Sequence, residues 1–281
     1  MADTLEKKDA ACCGPTCCET ETDTKTASIN QEDVKESVRE RYGKIATEGG
    51  SCCGPNCGCA SESSDEQLIS VLMSDEYTNV DQKIVAAADL GLGCGTPTAF
   101  TDLQPGMTVL DLGSGAGIDV FIAAKAVAPT GKAIGLDMTD EMLKRARANK
   151  IKLGITNAEF WKGEIEDMPV ESASIDRIIS NCVINLAPDK RKVLSEMYRV
   201  LKPGGKFTVS DIVSIGAIPD DVRRNMELWA GCVAGALDKE EFLQITRDAG
   251  FTNLVISAER PYNLEGNASF GLASITLTAT K

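Results

Sequence analysis

Three widely spaced cysteines, Cys94, Cys182 and Cys232, are the most chemically pointed side chains in this 281-residue chain. A thiolate is both a nucleophile and a soft ligand, suited to soft metals and metalloids rather than hard cations. The sequence holds eleven cysteines and no histidine, which removes histidine general-base catalysis and every His-containing metal site. A second reactive feature is the run Val109–Asp119, VLDLGSGAGID, with Asp111 followed by Gly113, Ser114, Gly115 and Gly117. It reads as strand, tight loop and helix, with backbone N–H groups and a helix N-terminus aimed at a bound small molecule. The next strand-like run, KAIGLDM, ends in Asp137, twenty residues beyond Gly117, where an acid can accept hydrogen bonds from both hydroxyls of a ribose. Ile118 fills the slot of the third glycine in the dinucleotide fingerprint, which disfavours NAD. The loop is expected to bind another nucleoside-containing cofactor.

These residues need a scaffold, and the periodicity supplies one. Candidate strands at 107–112, 132–137, 158–163, 175–181 and 205–212 alternate with candidate helices at 117–127, 140–153 and 189–202. Such βαβ alternation predicts a parallel sheet covered by helices. Gln31–Ala46 and Asn79–Leu92 read as preceding helices, and Asp220–Ala234 and Lys239–Ala249 as following ones. Thr252–Ala258 and Ala273–Thr280 read as late strands, the last an edge-proximal antiparallel strand with one face wet. In this frame Cys94 lies just before the nucleotide-binding unit, Cys182 just after the fourth strand, and Cys232 in a helix after the fifth. Ligands of open α/β sheets bind beyond the carboxyl ends of the strands, so Cys182 is expected to face the pocket, with the other two in reach.

Composition bounds the rest. A net charge of −13 opposes a nucleic-acid groove or an anionic membrane surface. No apolar run reaches the ~18 residues of a membrane span, and MADTLEKKDA lacks the apolar centre of a signal peptide. The expected location is cytoplasmic, where cysteines are more often ligands or reactive thiols than staples. Residues 1–30 are polar and read as disordered. The short repeats CCGPTCC (12–18) and CCGPNCGC (52–59) carry pairs at ligand-like spacing, Cys13 with Cys17 and Cys53 with Cys57. Each of the three separated cysteines, taken alone, is equally readable as small apolar filler. A structural zinc site is the other reading, but it prefers close C-x₂₋₄-C pairs.

DLGSGAG, GLDM and VLKPGG (Val200–Gly205), in that order, resemble the motifs of class I S-adenosylmethionine-dependent methyltransferases. SCCG, GLGCG, SNCVINL and WAGCVAGAL narrow the resemblance to the arsenite (As(III)) S-adenosylmethionine methyltransferases, over about residues 30–281. The resemblance implies an α/β, Rossmann-like class I methyltransferase sheet, mostly parallel with a late antiparallel strand, a Cys-rich N-terminal extension and a C-terminal cap region. The corresponding division is 1–65 as a Cys-rich, partly disordered segment, 66–213 as the cofactor-binding domain, and 214–281 as arsenic-site helices and final strands.

The resemblance also assigns roles. Cys94, Cys182 and Cys232 would bind trivalent arsenic, and Cys52 or Cys53 would exchange a disulfide with Cys94. Gly113, Ser114 and Gly115 would pass the methionine part of S-adenosylmethionine, and Asp111 would shape the turn. Asp137 would take the ribose, Met138 would pack on the adenine, and Glu164 and Ile165 would flank it. Tyr77 would cap the sulfonium end, or be an ordinary buried aromatic, and Asn181 would border the methyl group. Implied partners are arsenite, methylated trivalent arsenicals or their thiol conjugates, and a thioredoxin- or glutathione-type reductant. Attack by an arsenic lone pair releases no proton, so the missing histidine is no handicap. Two other readings remain on the sequence: a small-molecule C- or O-methyltransferase, which would survive serine at the three positions, and a non-catalytic thiol protein for metal or redox buffering.

Overall fold

The computed structural model describes residues 30–48, 68–69, 72–73, 77, 80–262 and 270–281. Cys52, Cys53 and the CCGP segments lie outside the described residues. A seven-stranded sheet organises the molecule, with strands β1 (Thr108–Leu112), β2 (Lys132–Asp137), β3 (Ala158–Lys162), β4 (Ile175–Asn181), β5 (Leu201–Ile215), β6 (Thr252–Tyr262) and β7 (Gly271–Thr280). Its order is β3-β2-β1-β4-β5-β7-β6. The first five strands run parallel, and β7 is inserted antiparallel between β5 and β6. This is the Rossmann-like class I methyltransferase arrangement. The order reverses between β1 and β4, opening a crevice at their carboxyl ends.

The helices bounded within the described residues are α1 (Gln31–Glu48), α2 (Gln82–Ala88), α3 (Ile118–Val127), α4 (Asp140–Leu153), α5 (Lys190–Val200), α6 (Asp220–Arg223), α7 (Met226–Ala230) and α8 (Lys239–Asp248). Local chemistry sets their ends. Asp189 and Asp238 accept backbone N–H groups at the starts of α5 and α8, satisfying donors that the first turn leaves open. α4 carries Asp140 and Glu141 in its first turn and Lys150 and Lys152 in its last, matching the helix dipole. One core lies between the sheet and α5 and α8, built on Leu110, Ile178, Val193, Leu194, Phe207 and Ile275. The opposite face packs Val109, Phe121, Ala133, Leu143 and Ile179.

Two expectations are corrected. Asp220–Ala234 is not one helix. The Asn225 side chain accepts the N–H groups of Glu227 and Leu228, so it starts a new helix where a continuous one would run through. Cys232 therefore sits in a turn after α7 rather than on a helix. β7 has no wet face: Leu272 to Leu277 are all buried. The exposed outer strand is β6, which covers one edge of β7. Ser274 Oγ donates to the carbonyl of Cys94, and Ser210 Oγ and Thr276 Oγ1 are 2.8 Å apart, so hydroxyls that read as solvent-facing are satisfied internally. β5 runs across residues 213 and 214, and β6 and β7 complete the same sheet.

Candidate active site

A cleft of about 1090 Å³, counting the space open to solvent, lies over the carboxyl ends of β1, β2 and β4. Its floor is the turn after β1. Gly113 has φ 62°, and a Cβ there would meet Val183 Cγ2 at 2.5 Å, so only glycine fits this turn and this approach. Asp137 spreads its carboxylate over two backbone donors, the N–H of Gly115 at 2.9 Å and of Thr139 at 2.8 Å, which ties the glycine turn to β2. The Ser114 hydroxyl is buried with no hydrogen-bond partner among the described residues, and a bound polar group would satisfy it.

Three buried carboxyl groups converge here. Burial first, then the charges of Asp119 and Asp137, hold the Asp111 carboxyl well above its ordinary range. Burial also raises Asp137 and pushes Asp119 up to about 6, against hydrogen bonds from Tyr77, Asn181 and Thr98. A pocket that crowds carboxylates out of water favours a cationic occupant. Tyr77 Oη donates to Asp119 Oδ2 at 2.9 Å and accepts from Asn181 Nδ2 at 3.0 Å. Met138, Glu164 and Ile165 line the same cleft. Glu164 is engaged from above by α1: Lys35 Nζ stands 2.6 Å from Glu164 and 2.7 Å from the buried Glu166, and Arg39 stands 2.9 Å from Glu164. The Lys35 contact, above all, lowers the Glu164 carboxyl. Farther along α1, Tyr42 packs beside the cysteines.

The three cysteines share one buried cluster. Cys94 rides the Gly93-Cys94-Gly95 loop, pressed so close to β5 that a Cβ on Gly95 would meet Ser210 Cβ at 2.4 Å. Its backbone N–H donates to Asn181 Oδ1 at 3.1 Å. Cys182 follows β4 with φ 59°, and Cys232 has φ 64°, left-handed conformations uncommon for residues other than glycine and shared here by Ala173 and Asn253. Cys94 Sγ, Cys182 Sγ and an Asp211 carboxylate oxygen lie within 4.8 Å of one another. The Cys232 thiol points instead to the carbonyl of Cys182, donating at 3.0 Å. Burial, then hydrogen bonds with Cys232 and Cys94, push the Cys182 thiol well up.

Asp211, Asp119, Asn185 and Lys190 belong to this neighbourhood and were not singled out from sequence. Burial pushes Asp211 up to about 7 and Lys190 down to about 8. Asn185 Nδ2 donates to Ile212 O and Cys232 O, joining the Cys182 loop, β5 and the Cys232 turn. The available signal was a charge inside the apolar run of β5, FTVSDIVSI.

A family described as "Methyltransferase domain" matches residues 103–250. The arsenite methyltransferase of Halobacterium salinarum is 44% identical over 246 residues, covering 84% of this chain and 61% of that protein. That of Aquipseudomonas alcaligenes is 35% identical over 242 residues, covering 84% and 67%. The chain belongs to the arsenite methyltransferase family. It spans 61% and 67% of the lengths of these two relatives. A crystal structure described as an arsenic(III) S-adenosylmethionine methyltransferase from Chlamydomonas reinhardtii superposes with a TM-score of 0.64 at 33% identity, covering 79% of this chain and 75% of that one. The donor chemistry of this cleft fits S-adenosylmethionine: the buried carboxyls of Asp111, Asp119 and Asp137 suit a cationic molecule that carries hydroxyls, and the buried Ser114 hydroxyl suits a polar one. Among the described residues, no helix is long and apolar enough to cross a membrane.

Proposed function

We propose that the protein transfers methyl groups from S-adenosylmethionine to trivalent arsenic held by the thiolates of Cys94, Cys182 and Cys232, yielding methylated arsenicals as a detoxification step. The observation that carries this reading is the meeting of Cys94 and Cys182 in one buried pocket beside the cofactor cleft, with the Cys232 thiol against the Cys182 carbonyl. Binding of arsenite balances without an external base. Each thiol proton leaves with an arsenite hydroxide as water, and each As–S bond replaces an As–O bond. This suits the Cys182 thiol, which burial holds protonated. Forming the third bond requires the Cys232 thiol to give up its hydrogen bond to Cys182 O. When bound, the cofactor supplies an electrophilic methyl group.

The chain's own residues do the positioning. The Gly113–Gly115 turn and Asp137 fix the nucleoside, and the buried Tyr77–Asp119–Asn181 relay links the helix after that turn to the Cys94 loop. Asn181 contacts both sides, through Tyr77 and through the N–H of Cys94. Methyl transfer leaves arsenic formally pentavalent, and two electrons return it to the trivalent state. We assign these electrons to a thiol pair, Cys94 with Cys52 or Cys53: the sulfur of Cys52 or Cys53 attacks Cys94 Sγ and loses its proton, the S–S bond forms as the As–S bond to Cys94 breaks with its electron pair left on arsenic, and a thioredoxin- or glutathione-type reductant resets the disulfide. Thiols that must stay reduced suit the cytoplasm.

The test incubates the protein with S-adenosylmethionine, arsenite and a thiol reductant and separates the arsenic species. Serine at Cys94, Cys182 or Cys232 should each abolish methylation of arsenite. Serine at both Cys52 and Cys53 should spare methylated trivalent acceptors and impair turnover of arsenite. Full turnover in all three single variants would overturn the thiolate reading and leave a methyltransferase for another acceptor.

A further inference from the structure

Asp211 has no part in the chemistry above, yet its carboxylate is the third member of the tight set formed with Cys94 and Cys182. We propose that Cys94 Sγ, Cys182 Sγ and the Asp211 carboxylate form a binding site for a borderline-soft divalent cation of the zinc class. The competition of such a cation with arsenic, though not the cation site itself, rests on the arsenic reading above.

The donor set carries the argument. The three ligand atoms are mutually within 4.8 Å, on residues exposed by only 1%, 2% and 1%. Tetrahedral zinc takes sulfur at ~2.3 Å and carboxylate oxygen at ~2.0–2.2 Å, and three protein ligands with water in the fourth place is a standard arrangement. Closing the set onto an ion asks for movement of at most about 1.2 Å between ligand atoms. The carboxylate is already oriented by backbone donors: Ile212 N–H to Oδ1 at 2.9 Å and Asn185 N–H to Oδ2 at 3.3 Å. Each oxygen keeps lone-pair capacity for a metal. Two thiolates and a carboxylate around a dication leave one negative charge, and the buried Lys190 ammonium, which feels the charge of Asp211, offsets it. Binding releases the two thiol protons to solvent.

Trivalent arsenic and the divalent cation therefore share Cys94 and Cys182 and differ in the third ligand. Arsenic, soft and thiophilic, takes the Cys232 sulfur. The cation accepts the oxygen of Asp211. Zinc should thus exclude arsenite and inhibit methylation, and the two ligands should respond oppositely to single substitutions.

The experiment uses the full-length chain with its eight other cysteines (Cys12, Cys13, Cys17, Cys18, Cys52, Cys53, Cys57 and Cys59) replaced by serine, so that only the pocket thiols bind. Zinc affinity is read by competition with a chromophoric chelator, arsenite affinity by thiol protection, and Co²⁺ serves as a spectroscopic stand-in for zinc. Asp211→Asn should weaken zinc at least about tenfold, the scale for losing a metal-site partner, and leave arsenite within about threefold. Cys232→Ser should do the reverse. The thiolate-to-cobalt charge-transfer band should carry the intensity of two thiolates, unchanged in Cys232→Ser. Equal zinc affinity in Asp211→Asn and the parent, three-thiolate intensity, or no zinc bound would each overturn the proposal. If Asp211→Asn does not fold, the cobalt spectra of the parent and Cys232→Ser decide. If Cys232→Ser keeps arsenite affinity while the zinc results hold, the arsenic reading alone fails.

Discussion

Replacing Tyr77 with phenylalanine deletes one hydroxyl from a buried relay, and the cost of that deletion should depend on pH. Tyr77 Oη donates to Asp119 Oδ2 at 2.9 Å and receives Asn181 Nδ2 at 3.0 Å. Burial lifts Asp119 from 3.8 to about 6, and the Tyr77 hydrogen bond is the leading influence pulling it down. A carboxyl whose folded value exceeds its unfolded value contributes stability that is whole below pH about 4 and lost as pH rises through about 6. A gap of about two units corresponds to about 3 kcal/mol. Without the Tyr77 hydroxyl the folded value moves further above 6, and the additional loss falls between pH 6 and the new value. At pH 8 Asp119 is ionised, and a hydrogen bond to a charged group is worth roughly 1.5–3 kcal/mol; at pH 5 it is mostly protonated, and the same contact is worth roughly 0.5–1.5 kcal/mol. Urea unfolding of both proteins at pH 5 and pH 8, with reductant and no cofactor, measures the difference. The variant's loss should be greater at pH 8 by about 1–2 kcal/mol. Equal losses at the two pH values would refute the placement of a charged Asp119 under Tyr77.

Gly113→Ala should lower cofactor affinity and cost about 1–3 kcal/mol, from the positive φ and the contact with Val183. Adding Val183→Ala should recover the packing part only, as read by denaturant midpoints of the single and double variants. Lys35→Met leaves the buried Glu166 without its ammonium partner. Limited proteolysis and hydrogen exchange across 31–48 should show α1 loosened by about 1–3 kcal/mol, with the sheet unaffected. Lys190, depressed from 10.5 to about 8, disfavours the folded state at neutral pH. The stability of the wild type relative to Lys190→Met should therefore rise by about 3 kcal/mol between pH 8 and pH 10.5, and a flat difference in urea melts would refute it.

The β1-turn-α3 unit was legible because each level agreed: apolar run, glycines at positions needing positive φ, then an apolar helical face. The family reading drawn from DLGSGAG, GLDM and VLKPGG is met by the relatives and by the sheet. What escaped was set by tertiary context. Nothing in DDVRRNMELWAG announces that Asn225 will cap a new helix rather than ride through one. Ser274 and Thr276 look like a solvent face until the Cys94 loop and Ser210 supply their partners. Asp211 is one charge in a strand; it joins Cys182 because β5 pairs with β4 at Asn181 and Ser210, and Cys94 because the Cys94 loop packs on Ser210. The orientation of Cys232 depends on Asn185, a residue 47 positions away whose role no local pattern carries.

Two thiol-bearing residues, Cys182 and Cys232, occupy backbone shapes in which glycine would be more comfortable by roughly 1–2 kcal/mol each. Burial of both side chains opposes that preference, because glycine would leave a cavity at each place. On the proposed arsenic reading, the ease of the turn and the duty of the sulfur pull in opposite directions at these two positions.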